Sequence, residues 1–193
     1  MCLYEARVRD QTVLMTRALL VIDVQESFRV RDSWSEVSNP DVAEDVALLV
    51  AAARAAGDAV IWVLHAEPGS GTPFDPASGQ VRLMDGLVPR DGEPVLTKTS
   101  RNAFTTTNLQ QRLTMLGVRT VVICGIQTEQ CCETTARLAA DLGYEVEFVT
   151  DATATFPIRR DGRVLGVGDI VERTEFALAG RFATIRGVQE MVS

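Results

Sequence analysis

From Arg17 onward, short apolar runs rich in branched residues alternate with longer amphipathic stretches. That alternation predicts βαβ units built around a mostly parallel sheet. Ala18-Leu-Leu-Val-Ile-Asp23 is apolar up to its acidic end, the composition of a central strand covered on both faces. Between Asp41 and Ala56, the residues Val42, Val46, Leu49, Val50 and Ala53 recur at helical spacing, and Gly57 follows as the C′ residue. Further strands are expected over 59–65, 94–98, 120–125, 145–150 and 182–188. Helices are expected over 108–116, 129–142, closed by Gly143, and 170–178. Six strands with intervening helices predict a three-layer α/β fold, a doubly wound, Rossmann-like sheet. Glu67 to Glu93 is rich in Gly, Pro and Asp and reads as a long loop, of the kind that is usually functional.

A chain of 193 residues favours one domain, taken as residues 17–193. Residues 1–16 read as an N-terminal extension that packs little and is partly mobile. They carry charges throughout and no apolar run of signal-peptide length, so no export is implied. No stretch approaches the roughly 18 uninterrupted apolar residues of a membrane span. With 19 Lys and Arg against 26 Asp and Glu the net charge is −7, which argues against nucleic acid or anionic membrane as a partner. The cysteines at 2, 124, 131 and 132 match neither a repeated CxxC zinc site nor the disulfide ladder of a small secreted domain. A cytoplasmic location is expected. The single His, His65, cannot form a two-His site, so neither metal nor cofactor is expected.

In open α/β sheets the reactive side chains lie just past the carboxyl ends of the strands. Asp23 closes the first strand, Lys98 closes the third, and Cys131 follows the fourth across Gly125-Ile-Gln-Thr-Glu-Gln130. Cys131 is expected to begin a helix, where the dipole and a nearby Lys⁺ would lower its thiol pKa. An Asp carboxylate can take the thiol proton and return it to a leaving amine. Singly, each residue has a plainer reading: a buried small apolar side chain, a turn residue, a solvated surface charge. The combination carries the chemistry.

These residues resemble the isochorismatase-like cysteine hydrolases, a family that includes nicotinamidases and carbamoylsarcosine amidases. Leu19-Leu-Val-Ile-Asp-Val-Gln25 with Phe28 is similar to the family's first-strand motif. Thr97-Lys98 with Ser100-Arg-Asn-Ala-Phe104 and Thr107-Asn-Leu109 resembles its lysine segment. Gly125-Ile-Gln-Thr-Glu-Gln-Cys131 with Thr134-Thr-Ala-Arg137 resembles its nucleophile segment. The resemblance implies that Asp23 is the general base and acid, Lys98 the supporting cation and Cys131 the nucleophile. It also implies a cis peptide at Ile126-Gln127, and an oxyanion hole formed by the backbone N–H groups of Gln127 and Cys131. Nicotinamidases of the family hold a metal through an Asp and two or more His, which this chain lacks.

Gln25, Phe28, Trp34, His65 and Phe104 are the expected substrate-binding residues. Arg29, Arg101, Arg159 and Arg160 are candidates for a substrate carboxylate. Cys132 is expected to point into the core, with a vicinal redox or metal-thiolate role as the alternative; Cys2 and Cys124 read as structural. The expected activity is cofactor-independent hydrolysis of a small-molecule C–N bond (amide, carbamoyl or lactam) through an acyl-enzyme. A vinyl ether hydrolase, a non-catalytic interaction protein and a vicinal-thiol redox protein stand as alternatives. The expected partners are a small-molecule substrate and further copies of the chain, as a homodimer or homotetramer.

Overall fold

A computed structural model describes residues 17–193; the expectations for residues 1–16, Cys2 included, lie outside them. Six parallel strands form one sheet in the order β3-β2-β1-β4-β5-β8. The strands are β1 (Arg17–Ile22), β2 (Ala59–His65), β3 (Val95–Lys98), β4 (Thr120–Ile126), β5 (Glu145–Ala154) and β8 (Thr184–Arg186). From β1 the chain winds outward to β3 and then returns to β4 on the other side, so strand order reverses between β1 and β4. The fold is the expected doubly wound α/β architecture.

Each central strand feeds two cores because alternate residues face opposite sides of the sheet. Ala18, Leu20 and Ile22 of β1 join Ile61, Val63, Val121 and Ile123 on one face. This face is covered by α3 (Leu109–Leu116), α4 (Glu133–Asp141) and α5 (Val167–Leu178), through Leu109, Leu113, Ala136, Ala139 and Leu178. Leu19 and Val21 join Val60, Trp62 and Val122 on the opposite face. There the cover is α2 (Val42–Ala56), with Val42, Val46, Leu49, Val50 and Ala53, and α6 (Val188–Val192), with Val188. The helix stripe read from the sequence is the buried face of α2, and Gly57 ends it in the left-handed conformation.

Several boundaries differ from the sequence reading. The fifth strand does not stop at Thr150: after a register shift it continues to Ala154, and Thr153 pairs with Gly125. The last strand is shorter than expected, and Val188 starts α6. The stretch after Pro157, to which the sequence pattern assigns no element, contains an antiparallel hairpin, β6 (Ile158–Arg160) and β7 (Arg163–Leu165), with every residue exposed. A single helical turn, α1 (Glu26–Arg29), follows β1. Among the described residues no helix is long and apolar enough to cross a membrane.

Candidate active site

The parallel register brings the three reactive residues to one edge of the sheet. Ile22 pairs with Gly125, so Asp23 emerges at the strand-order reversal, beside the turn that carries Cys131. Asp23 takes a positive φ of 54°, a region that Asp and Asn tolerate better than most residues. Gly125 packs so tightly here that a Cβ would lie 1.9 Å from the Ile22 carbonyl oxygen, so only glycine fits. His65 pairs with Lys98 across β2 and β3. Lys98 therefore reaches past the β2 edge toward β1, a span of two strand spacings, about 10 Å.

Lys98 is fully buried, and its ammonium has four neighbours. Nζ lies 2.7 Å from Asp23 Oδ2, 3.4 Å from Cys131 Sγ, 3.1 Å from the Ser100 carbonyl oxygen and 3.3 Å from His65 Nδ1. The contact with Asp23 is a short, fully buried ion pair, and the Cys131 thiol stands beside the same carboxylate. A carboxylate enclosed beside a thiol is placed to take its proton. Burial raises the Asp23 carboxyl above its ordinary range, with Lys98 opposing the rise.

Cys131 does not begin an α-helix. It lies in a π-helical turn, Thr128–Cys132, that precedes α4. The Gln127 carbonyl accepts from the N–H groups of both Gln130 and Cys132, and the Ile126–Gln127 peptide is cis. Thr135 pins the turn, donating its hydroxyl to the Cys131 carbonyl at 2.6 Å and accepting from the Ala103 N–H at 3.1 Å. The lysine segment and the cysteine turn are thereby joined.

The expected lowering of the thiol pKa is overturned. Burial pushes the Cys131 thiol up to about 12; the Asp23 carboxylate adds to the rise and the Lys98 ammonium opposes it. The lysine favours the thiolate, but the loss of water on burial outweighs it. The resting site is thus a neutral thiol beside a Lys98–Asp23 ion pair. One consequence is measurable by peptide mapping. Alkylation of Cys131 by iodoacetamide should rise about tenfold per pH unit from pH 7 to 10 without a plateau, because only the thiolate reacts. A plateau near neutral pH would instead mean a thiolate at rest.

A cavity of about 340 Å³ opens over this edge, lined by Asp23, His65, Gln127 and Cys131, with Phe28 and Phe74 on an apolar wall. Phe28 meets Phe74 edge-on at 4.9 Å between ring centres. Of the residues expected to bind substrate, Phe28 and His65 line the cavity. Three others do not. Gln25 is fully buried and clamps the His65 backbone, accepting from its N–H at 2.7 Å and donating to its carbonyl at 3.0 Å. It braces the wall without lining it. Trp34 packs near Phe156 outside this cavity, and Phe104 is buried in the core, 6.2 Å between ring centres from Tyr144.

Of the candidate arginines, Arg101 lines the cavity. Arg29 pairs with Glu26, Arg159 with Glu36 and Arg160 with Asp161, all away from it. Arg31, Glu67 and Gln130 also line it and were missed, because loop residues carry no periodicity to flag them. Cys132 is sealed in the core as expected, and Cys124 is buried in β4.

Both ring nitrogens of His65 have polar neighbours. His65 Nδ1 faces the Lys98 ammonium, while Nε2 lies 3.2 Å from Glu67 Oε1, so both ring nitrogens are engaged. Burial and the neighbouring Lys98 lower the His65 pKa, keeping the ring neutral.

A family model described as an isochorismatase domain matches residues 17–165. Nicotinamidase 3 of Arabidopsis thaliana is 33% identical over 167 residues, covering 79% of this chain and 80% of that protein. A ureidoacrylate amidohydrolase of Methylorubrum extorquens is 30% identical over 172 residues, covering 72% of this chain and 69% of that protein. The crystal structure of a hydrolase of the isochorismatase family from Chromobacterium violaceum matches with a TM-score of 0.85 at 26% identity, covering 92% of each chain.

Proposed function

The chain belongs to the isochorismatase family of hydrolases, and on that premise we propose that it hydrolyses a C–N bond, amide, carbamoyl or lactam, of a small molecule through a thioester on Cys131. The observation that carries this reading is the buried cluster in which one ammonium lies 2.7 Å from the Asp23 carboxylate and 3.4 Å from the Cys131 sulfur, beneath an open cavity. Two relatives whose names denote amide hydrolysis support the choice of bond.

Asp23 takes the Cys131 proton as sulfur attacks the substrate carbonyl carbon. The N–H groups of Gln127 and Cys131 hold the oxyanion of the tetrahedral intermediate. Asp23 then gives the proton to the departing nitrogen, the C–N bond breaks, and amine or ammonia leaves. Water enters, loses a proton to Asp23 and attacks the thioester; the acid departs as the proton returns to sulfur. The raised Asp23 pKa suits this shuttle, since a base poised nearer neutrality both accepts and returns a proton. Lys98 stabilises the thiolate as it forms.

The vicinal-thiol redox reading has less support. Cys132 is fully buried, and burial raises its thiol well above the ordinary value. A homodimer or homotetramer in a reducing cytoplasm belongs to the same proposal, consistent with the free thiols of Cys124, Cys131 and Cys132. The test is a panel of small amides, ureido acids and lactams scored for release of ammonia or amine. Release from at least one class, lost in Asp23→Asn, is expected. Hydrolysis of a vinyl ether with no amide turned over would move the assignment to the alternative.

A further inference from the structure

The two arginines on the cavity wall differ in how far they are already occupied. Arg101 lies 3.8 Å from Glu67 Oε1 through Nη2 and 3.2 Å from His65 Nε2 through Nη1. Arg31 has no carboxylate within salt-bridge distance among the described residues, and none of its guanidinium N–H groups donates to a described acceptor. Arg31 is exposed, and the aromatic face nearest it is that of Phe156, whose ring centre lies 5.9 Å from the guanidinium carbon. Phe156 in turn stacks on Phe28, 5.9 Å between centres with 15° between planes. A cation–π contact keeps a guanidinium near a ring while leaving its edge donors free.

The charge of the cavity wall points the same way. Asp23 is neutralised by Lys98, and Glu67 faces Arg101, which leaves Arg31 as the uncompensated charge on the wall. A planar fork of free donors, next to a cavity whose floor holds the nucleophile, matches a carboxylate in shape and sign.

We propose that the substrate hydrolysed at Cys131 carries a carboxylate and that Arg31 binds it. This rests on the hydrolase reading above for the reacting bond, but the anion site stands on its own geometry. The Phe28 and Phe74 wall takes the apolar stem between the two ends, so the substrate class is a short ω-carboxy amide or ureido acid. Arg31 sets specificity and takes no part in bond breaking.

Binding is read by calorimetry in Cys131→Ala, which cannot turn over. The probes are monoamides of three- to six-carbon diacids and their methyl esters. At least one acid should bind roughly 10- to 100-fold more tightly than its ester. Adding Arg31→Met should abolish that preference, and Arg31→Lys should restore part of it. Equal binding of acid and ester throughout the series, binding of neither, or a preference insensitive to Arg31 would overturn the proposal. Turnover by the unaltered protein separates the two claims. Neutral amides hydrolysed as fast as acidic ones would remove the anion site and leave the hydrolase. An Arg31-dependent acid preference without any turnover would remove the amide hydrolase and leave the anion site.

Discussion

Cys131→Ala should lose amide turnover by a factor of about 10⁴ or more while keeping the fold and thermal stability of the unaltered protein. Removing a covalent nucleophile takes away the whole two-step path, and losses of that order follow in other nucleophilic hydrolases. The fold should survive because the Cys131 side chain is small and sits at the cavity floor, and because Ala keeps the backbone turn that Thr135 pins. Cys131→Ser should be nearly as inactive. A hydroxyl is much harder to ionise than a thiol, and even a carboxylate whose pKa is raised by burial is too weak a base to compensate. Steady-state release of ammonia from a responsive amide, with circular dichroism as the check on folding, decides the point. Activity of either variant within tenfold of the unaltered protein would show that sulfur is not the nucleophile.

Lys98→Met should be severe on two counts. It removes the cation that supports the thiolate, and it leaves the fully buried Asp23 carboxylate without its counter-charge. Breaking a buried pair by deleting one partner costs about 3 to 5 kcal/mol. The deleted pair is short, with 2.7 Å between Nζ and Oδ2 and neither side chain exposed. The deficit should depend on pH. Asp23 already titrates above its unfolded value because of burial, and without Lys98 it shifts further in the same direction. A carboxyl raised on folding costs stability above its folded pKa, and the cost vanishes as pH falls below the unfolded value. Urea denaturation should therefore find Lys98→Met further below the unaltered protein at pH 8 than at pH 5. Adding Asp23→Asn removes the orphaned charge, and Asn tolerates the positive φ of this position. The double variant should regain most of the lost stability while remaining inactive. Strictly additive losses would mean that the two side chains are not coupled.

Legibility in the sequence followed burial. β1, β2 and β4 were readable because a strand covered on both faces is a continuous apolar run, and α2 because its buried stripe recurs at helical spacing before Gly57. The β6–β7 hairpin was not readable: all of its residues are exposed, so no core imposes an alternation on them. The switch from strand to helix at Val188 was hidden because its burial against α2 suits either state. Asp23, Lys98 and Cys131 were legible as strand-end residues, and the parallel register brings them together. What the sequence could not convey was depth. Lys98 and Asp23 are completely enclosed, which reverses the expected direction of the Cys131 pKa. Depth also separates Phe28, on the cavity wall, from Phe104, in the core. Arg31 went unnoticed for a related reason, since its meaning comes from the Phe156 ring beside it, far away along the chain.

The central claim is that sulfur at position 131 becomes acylated during turnover. The direct measurement is mass spectrometry of protein quenched in acid within the first turnovers on a responsive amide, followed by peptide mapping. A mass gain equal to the acyl portion of the substrate, confined to the peptide containing Cys131 and discharged on further incubation, is predicted. Turnover at an undiminished rate with the adduct on another residue, or with no adduct on the unaltered protein at any quench time, would contradict it.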